Sequence, residues 1–155
     1  MPRRKGISPV IATVIIVAVT IAVAIAVAFW MTGIVGLFTG FEQVQIVSAV
    51  PGFDSATNQF TITLTVRNTG TAAASVDNLF INGVPFDHTF NVQWGDAAWA
   101  PGATQPLAPG QQVQITITFA DHTDWAGGTL THGVSVEVKL HTAAGKEYPK
   151  LVVLP

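Results

Sequence analysis

The sequence contains no cysteine, which excludes disulfides, thiolate metal sites and cysteine nucleophiles. Charge is scarce. Only 10% of the 155 residues are Asp, Glu, Lys or Arg, where about 25% is usual. None of them lies between Lys5 and Glu42. A basic stripe is also missing: from residue 42 onward Arg67, Lys139, Lys146 and Lys150 face nine acidic residues, which argues against nucleic-acid binding. No Asn-x-Ser/Thr sequon occurs, so N-linked glycans are not expected, while the many Ser and Thr residues leave O-linked ones open. No G-x-S-x-G, Walker-type loop or G-x-G-x-x-G is present. His88, His122, His132 and His141 share no metal-ligand spacing. Asp87-His88 and Asp121-His122 read as solvated turn residues; Asp121 and Asp124 could touch a cation, but a turn is the stronger reading. Catalytic, cofactor and metal residues are therefore not expected, and the chain does not read as an enzyme.

What is present is one long apolar run. Arg3, Arg4 and Lys5 are followed by Gly6, then by Ile7-Ser8-Pro9-Val10-Ile11 and a series of Val, Ile and Ala reaching Phe29-Trp30-Met31. Ser8 suits an N-cap and Pro9 the first helical position, where its missing N–H costs nothing. A helix from 8 to about 38 is predicted, weakening at Gly33, Gly36 and Gly40. At ~1.5 Å per residue it measures roughly 45 Å, more than the ~30 Å hydrocarbon core of a bilayer. A helix apolar on every side must be buried all round. Ala18, Ala22 and Ala26 form a small-residue ridge, and Gly36 with Gly40 adds a G-x-x-x-G match, both suited to close helix approach.

Composition alone leaves several placements for this helix. It can be a membrane anchor with the basic tip cytoplasmic, or a helix packed on copies of itself. A secretory signal peptide has A-x-A-like sites in Ala22-Val23-Ala24, Ala24-Ile25-Ala26 and Ala26-Val27-Ala28. The apolar run nevertheless exceeds a 7–15-residue core and continues past each of them. A soluble core helix is disfavoured by the length.

The junction Arg4-Lys5-Gly6-Ile7-Ser8-Pro9-Val10-Ile11 resembles the N-terminus of archaeal type IV pilins over residues 3 to about 35. The resemblance implies a basic leader, residues 1–6, with Arg3, Arg4 and Lys5 carrying its charge. A prepilin-type aspartic peptidase would cut it off between Gly6 and Ile7. It implies a helix, residues 7–41, that waits in the membrane and then joins a filament core. It also implies a β-rich globular part outside. Bacterial type IV pilins carry Glu at the fifth mature position, which is Ile11 here, so the likeness is to the archaeal kind. The Ser-Pro start favours an adhesion pilus over a swimming filament. With the leader attached, leaving the bilayer would bury three cations in a greasy bundle.

Residues 42–155 alternate as strands do. Phe60, Ile62, Leu64 and Val66 interleave with Thr61, Thr63, Thr65 and Arg67. Val113, Ile115, Ile117 and Phe119 interleave with Gln112, Gln114, Thr116 and Thr118. Val134, Val136, Val138 and Leu140 interleave with Ser135, Glu137, Lys139 and His141. Weaker strands are predicted over 43–50, 76–81, 84–94 and 147–154, with turns at Pro51-Gly52, Asn68-Thr69-Gly70, Asn82-Gly83, Pro109-Gly110 and Ala144-Gly145. About seven strands with no internal helix predict an immunoglobulin-like antiparallel β-sandwich, so the whole chain is α+β. Outward Thr and Gln suit side-by-side subunit packing, though Thr is also a good strand residue. Residues 95–110 and 120–132 read as loops. Trp94, Trp99 and Trp125 in or beside them either form a contact surface or plug the ends of the sandwich.

The expected function is a structural subunit of an archaeal type IV pilus-like extracellular filament, a homopolymer built through N-terminal helices. Its expected partners are the membrane before assembly, the prepilin peptidase and the pilus assembly machinery. The alternative is a monomeric membrane-anchored cell-surface binding module with an Ig-like domain.

Overall fold

The structure, a computed structural model, describes residues 8–38 and 40–155, with 35–38 as helical backbone only. The chain divides into two compact units between Gly40 and Phe41.

The first unit is one helix, α1, Pro9–Phe38. The Ala12 N–H donates to the Ser8 carbonyl at 3.1 Å, so the first turn closes on the residue before the proline. The predicted end near residue 38 holds. Gly40 lies beyond it, so Gly36 and Gly40 do not share a helical ridge. Phe41, expected at the end of the helix, belongs to the second unit: its N–H donates to the Thr71 hydroxyl at 3.1 Å, and its carbonyl accepts from Thr71 and Ala72 at 2.9 and 3.0 Å.

The second unit is built of antiparallel strands. β1 (Val44–Asp54), β2 (Gln59–Asn68), β3 (Ala74–Ile81), β4 (Val84–Pro85), β5 (Asn91–Trp94) and β6 (Ala97–Ala98) come first. β7 (Gln105–Leu107), β8 (Gln112–Ala120), β9 (Thr123–Trp125), β10 (Gly128–Leu130), β11 (Ser135–Thr142) and β12 (Glu147–Val153) complete it. One sheet has the order β1-β2-β8-β5-β6, the other β12-β11-β3-β4 with β7 also on β3, and β9 and β10 form a separate hairpin. Seven strands have four residues or more, the number expected of an Ig-like sandwich.

The period of two explains the core. Phe60, Ile62, Leu64 and Val66 of β2 and Ile115, Ile117 and Phe119 of β8 are buried. They face Val76, Leu79 and Ile81 of β3 and Val136, Val138 and Leu140 of β11, also buried, in one cluster. The register is set by direct pairs such as Leu64 with Ile115 and Leu140 with Leu79, because a one-residue slip would turn every one of these side chains outward.

Three local expectations fail. Pro51-Gly52 is not a turn: both residues lie inside β1, opposite Ile62 and Thr61. β1 is an edge strand, and an edge strand can spare the N–H that proline lacks. The expected strand over 84–94 breaks into β4 and β5, which belong to different sheets. The Asp87 carboxylate accepts the Thr89 N–H at 2.8 Å in the turn between them. The stretches 95–110 and 120–132 are not plain loops, since they hold β6 and β7, and β9 and β10.

Candidate assembly surface

Among the described residues, helix α1 carries most of the exposed large apolar side chains. The stretch Pro9–Ile34 is long and apolar enough to cross a membrane, and none of it is buried within the chain. Fourteen of its large apolar side chains are exposed. At roughly 1.5–3 kcal/mol per fully buried side chain, leaving them in water would cost tens of kcal/mol. The helix therefore requires lipid or other helices around it.

Its few polar groups are closed off internally. The Thr13 hydroxyl donates to the Val10 carbonyl at 2.9 Å and Thr20 to Ile16 at 2.7 Å. Thr32 donates to Ala28 and Phe29, both at 3.0 Å. Hydroxyls satisfied by the preceding turn need no water, as a helix in an apolar medium requires. Ala18, Ala22 and Ala26 lie on α1 at four-residue spacing, which aligns them on one stripe. Gly36 is within α1. Arg3, Arg4, Lys5, Gly6 and Ile7 lie outside the described residues.

The segment following the helix is anchored to the sandwich by its backbone. Besides the Phe41 bonds, the Gln43 carbonyl accepts from the Thr69 N–H at 2.7 Å and the Gly70 N–H at 3.2 Å, and from the Thr69 hydroxyl at 3.3 Å. Asn68, fully buried, holds the receiving loop: its amide donates to the Ala72 and Leu107 carbonyls, and its oxygen accepts the Gly70 N–H, each at 2.9 Å. Gly70 is required by space. A Cβ there would stand 2.4 Å from the Phe41 carbonyl oxygen and 2.6 Å from the Gln43 nitrogen. The Lys146 ammonium donates to the Glu42 carbonyl. In sequence 68–70 reads only as a turn; the close approach of Phe41 and Gln43 to Gly70 exists only in the fold.

The outer face of the first sheet is uncharged across its middle. Thr61 pairs with Thr118, Thr63 with Thr116 and Thr65 with Gln114, and these threonines are half-buried.

The tryptophans lie with other aromatics around the core. Trp99 is 2% exposed, its indole N–H donates to the Ala103 carbonyl at 2.7 Å, and its ring meets Phe86 and Trp94 with centroids 5.4 Å away in each case. It is therefore not available as a contact surface. Trp94 and Trp125 are half-buried; Trp125 donates to the Ile81 carbonyl at 2.8 Å and stands edge-on to Phe90 at 4.7 Å.

The histidines are scattered. His88 is exposed in the β4–β5 turn. His122 takes a left-handed backbone (φ 59°) and places Nδ1 2.8 Å from the Asp121 carboxylate. His132 packs against the Phe53 and Phe60 rings, at 4.4 and 4.9 Å, and its Nδ1 meets the Pro155 oxygen. His141 Nδ1 lies 2.6 Å from Asp77 Oδ1. Among the described residues no group of three His, Asp or Glu side chains could hold a metal ion. Two exposed carboxyls sit below the ordinary range. The Ala56 N–H and the Thr57 hydroxyl lower that of Asp54, and the Thr89 hydroxyl and N–H that of Asp87.

No protein-family model and no curated protein matches the chain. Among solved structures it is similar to the archaellum periplasmic stator protein FlaG from Sulfolobus acidocaldarius. The two are 19% identical over 72% of this chain and 100% of that one, with a TM-score of 0.45. It is similar to the archaeal flagellum of Methanospirillum hungatei strain JF1, 16% identical over 94% of this chain and 88% of that one, TM-score 0.46. It is also similar to a FixG-related protein from Vibrio parahaemolyticus, 13% identical over 72% and 94%, TM-score 0.41.

Proposed function

We propose that the chain is a structural subunit of an archaeal type IV pilus-like extracellular filament used for adhesion. The precursor sits in the cytoplasmic membrane with its N-terminus cytoplasmic, a prepilin peptidase removes Met1–Gly6, and the pilus machinery gathers the helices into a core. The observation that carries this reading is α1 itself: its stretch Pro9–Ile34 is apolar on every side, and its large apolar side chains are exposed. Between lipid and a bundle of helices the hydrophobic term is nearly neutral. Close packing along the Ala18, Ala22, Ala26 stripe then favours the bundle. The leader opposes the move, since a cation brought into an apolar centre costs roughly 2.5–3.5 kcal/mol, and its removal releases the helix. No step calls for catalysis by this chain itself.

A membrane-anchored monomeric binding module is the second reading, favoured by a stretch long and apolar enough to cross a membrane. Mass spectrometry of sheared surface filaments separates the two. Ile7 as the first residue is expected. Met1 on a chain confined to the membrane fraction supports the anchored module, and Phe29 a secreted soluble domain.

A further inference from the structure

Among the described residues three buried side-chain oxygens have no hydrogen-bond partner: Glu42 Oε1, Thr142 Oγ1 and Tyr148 Oη. A native fold leaves few such atoms, and each calls for an explanation. Chance would scatter them, yet all three belong to the neighbourhood of Lys146. Its backbone carbonyl accepts the Thr142 N–H at 3.0 Å, its ammonium donates to the Glu42 carbonyl, and Tyr148 stands two residues beyond it on β12. Thr142 ends β11, and Tyr148 lies directly opposite Leu140 of that strand. Leu140 and Thr142 are both fully buried, so Tyr148 and Thr142 are diagonal neighbours on the inner face of the sheet. Tyr148 packs against the core cluster that contains Val44, two residues after Glu42.

The three atoms do not bond to one another, but their chemistry is complementary through a fourth group. A carboxylate oxygen only accepts, whereas each hydroxyl can donate and accept. A water molecule among them accepts from Thr142 and Tyr148 and donates to Glu42, which makes the ~3 hydrogen bonds usual for an enclosed water. A metal cation fits worse. It would use only lone pairs, and the Lys146 ammonium already holds the Glu42 backbone.

We propose that Glu42, Thr142 and Tyr148 enclose one water molecule, which ties the segment entering β1 to the β11–β12 hairpin. The bonds of Phe41 and Gln43 fasten that segment to residues 69–72. The water adds a tie to the other sheet, the one that holds β11 and β12. It satisfies three oxygens that would otherwise be buried at a cost. The site lies within the globular unit, so it does not depend on assembly of the chain into filaments.

The sign of a stability change tests the proposal. Full-length chain in detergent is unfolded chemically and followed by its β-signal. Thr142→Val and Tyr148→Phe each delete one hydroxyl and keep the shape. Were the hydroxyls dry, deleting a buried unpaired group would raise the denaturation midpoint. Bonded to a shared water, each deletion should lower it. The double variant should lose less than the sum, because the first deletion already weakens the hold on the water. Either loss should also shrink in a Glu42→Met chain. Nuclear magnetic resonance of the unaltered chain gives a readout that needs no variant. Magnetisation passed from water to the Thr142 methyl group and the Tyr148 ring should carry the sign of a water that tumbles with the protein, and at exposed Thr57 it should not. A raised midpoint for either single variant, strictly additive losses, or no transfer from a protein-held water overturns the proposal. So does a midpoint that differs among lithium, sodium and potassium chloride at equal ionic strength, which would assign the site to a cation.

Discussion

The helix and the sandwich are made from nearly the same residues, Val, Ile, Ala and Thr with little charge, yet they dispose of them in opposite ways. In β2 and β8 the period of two sends Ile62, Leu64, Ile115 and Ile117 inward and Thr63 and Thr116 outward. In α1 the apolar residues follow no such period and leave no polar side. Thr13, Thr20 and Thr32 turn their hydroxyls back onto the helix, while the sheet threonines present theirs on the outer face. The difference lies in where the missing half of the packing comes from. The sandwich supplies its own, and the helix must obtain it from lipid or from copies of itself.

Introducing charge tests that difference most severely. Ala22→Lys in the middle of α1 should abolish surface filaments, because each copy would bring an unpaired cation into the bundle at roughly 2.5–3.5 kcal/mol or more. Thr116→Lys, on the outer face of the sheet, should leave the globular unit folded, with a stability change within about 0.5 kcal/mol. Filament yield after shearing and thermal unfolding of the detergent-dissociated chain read the two effects. Normal filaments from Ala22→Lys would mean that α1 is not in a dry core.

Glycine gives the next comparison. Gly70→Ala forces a Cβ into the backbone of Phe41 and Gln43, and overpacking against backbone that cannot yield should cost about 3 kcal/mol. Gly33→Ala in α1 meets nothing within 4 Å and should stabilise the helix by roughly 0.5–1 kcal/mol. Circular dichroism should show the β-signal of Gly70→Ala melting well below that of the parent. An unchanged midpoint would mean that the 41–43 anchor is not built as described.

Asn68 should have a smaller effect than Gly70. Asn68→Ala leaves the Ala72 and Leu107 carbonyls and the Gly70 N–H without a side-chain partner, an expected loss of about 2 kcal/mol. Asn68→Asp retains the acceptor for Gly70 but sets a buried carboxylate oxygen against both carbonyls, and should be at least as destabilising as Asn68→Ala at neutral pH. Chemical denaturation midpoints rank the three chains.

What could be read in advance follows the same division. The helix was legible because burial on every side is a property of one segment, and the strands Phe60–Val66 and Ile115–Phe119 because alternation is local. The edge position of β1 depends on the order of strands in the sheet, so Pro51 reads as a turn in sequence and stands as an edge residue in the fold. Trp99 between alanines and Pro101 reads as a loop side chain. Only the closure that brings the Ala103 carbonyl to its indole makes it part of the core.

The smallest effect expected is acid sensitivity confined to the sandwich, since no ionisable side chain lies between Lys5 and Glu42. Asp54 accepts the Ala56 N–H and the Thr57 hydroxyl, both at 2.9 Å, which holds its carboxyl below the ordinary value of 3.8. The Thr89 hydroxyl and N–H do the same for Asp87. A carboxyl depressed in the folded chain is protonated first in the unfolded one, so its contribution is complete above the ordinary value. It shrinks as the pH falls toward the folded pKa and is gone below it. Both groups are fully exposed, so the shift in midpoint should be slight. Asp54→Asn should flatten it further and Thr57→Val should flatten it in part. Melting curves of the dissociated chain, taken from neutral pH into the acid range, should show the β-signal moving while the helical signal stays. A helical signal that moved equally would mean that the two units do not unfold separately, and would remove the contrast between a self-sufficient sandwich and a helix dependent on its surroundings.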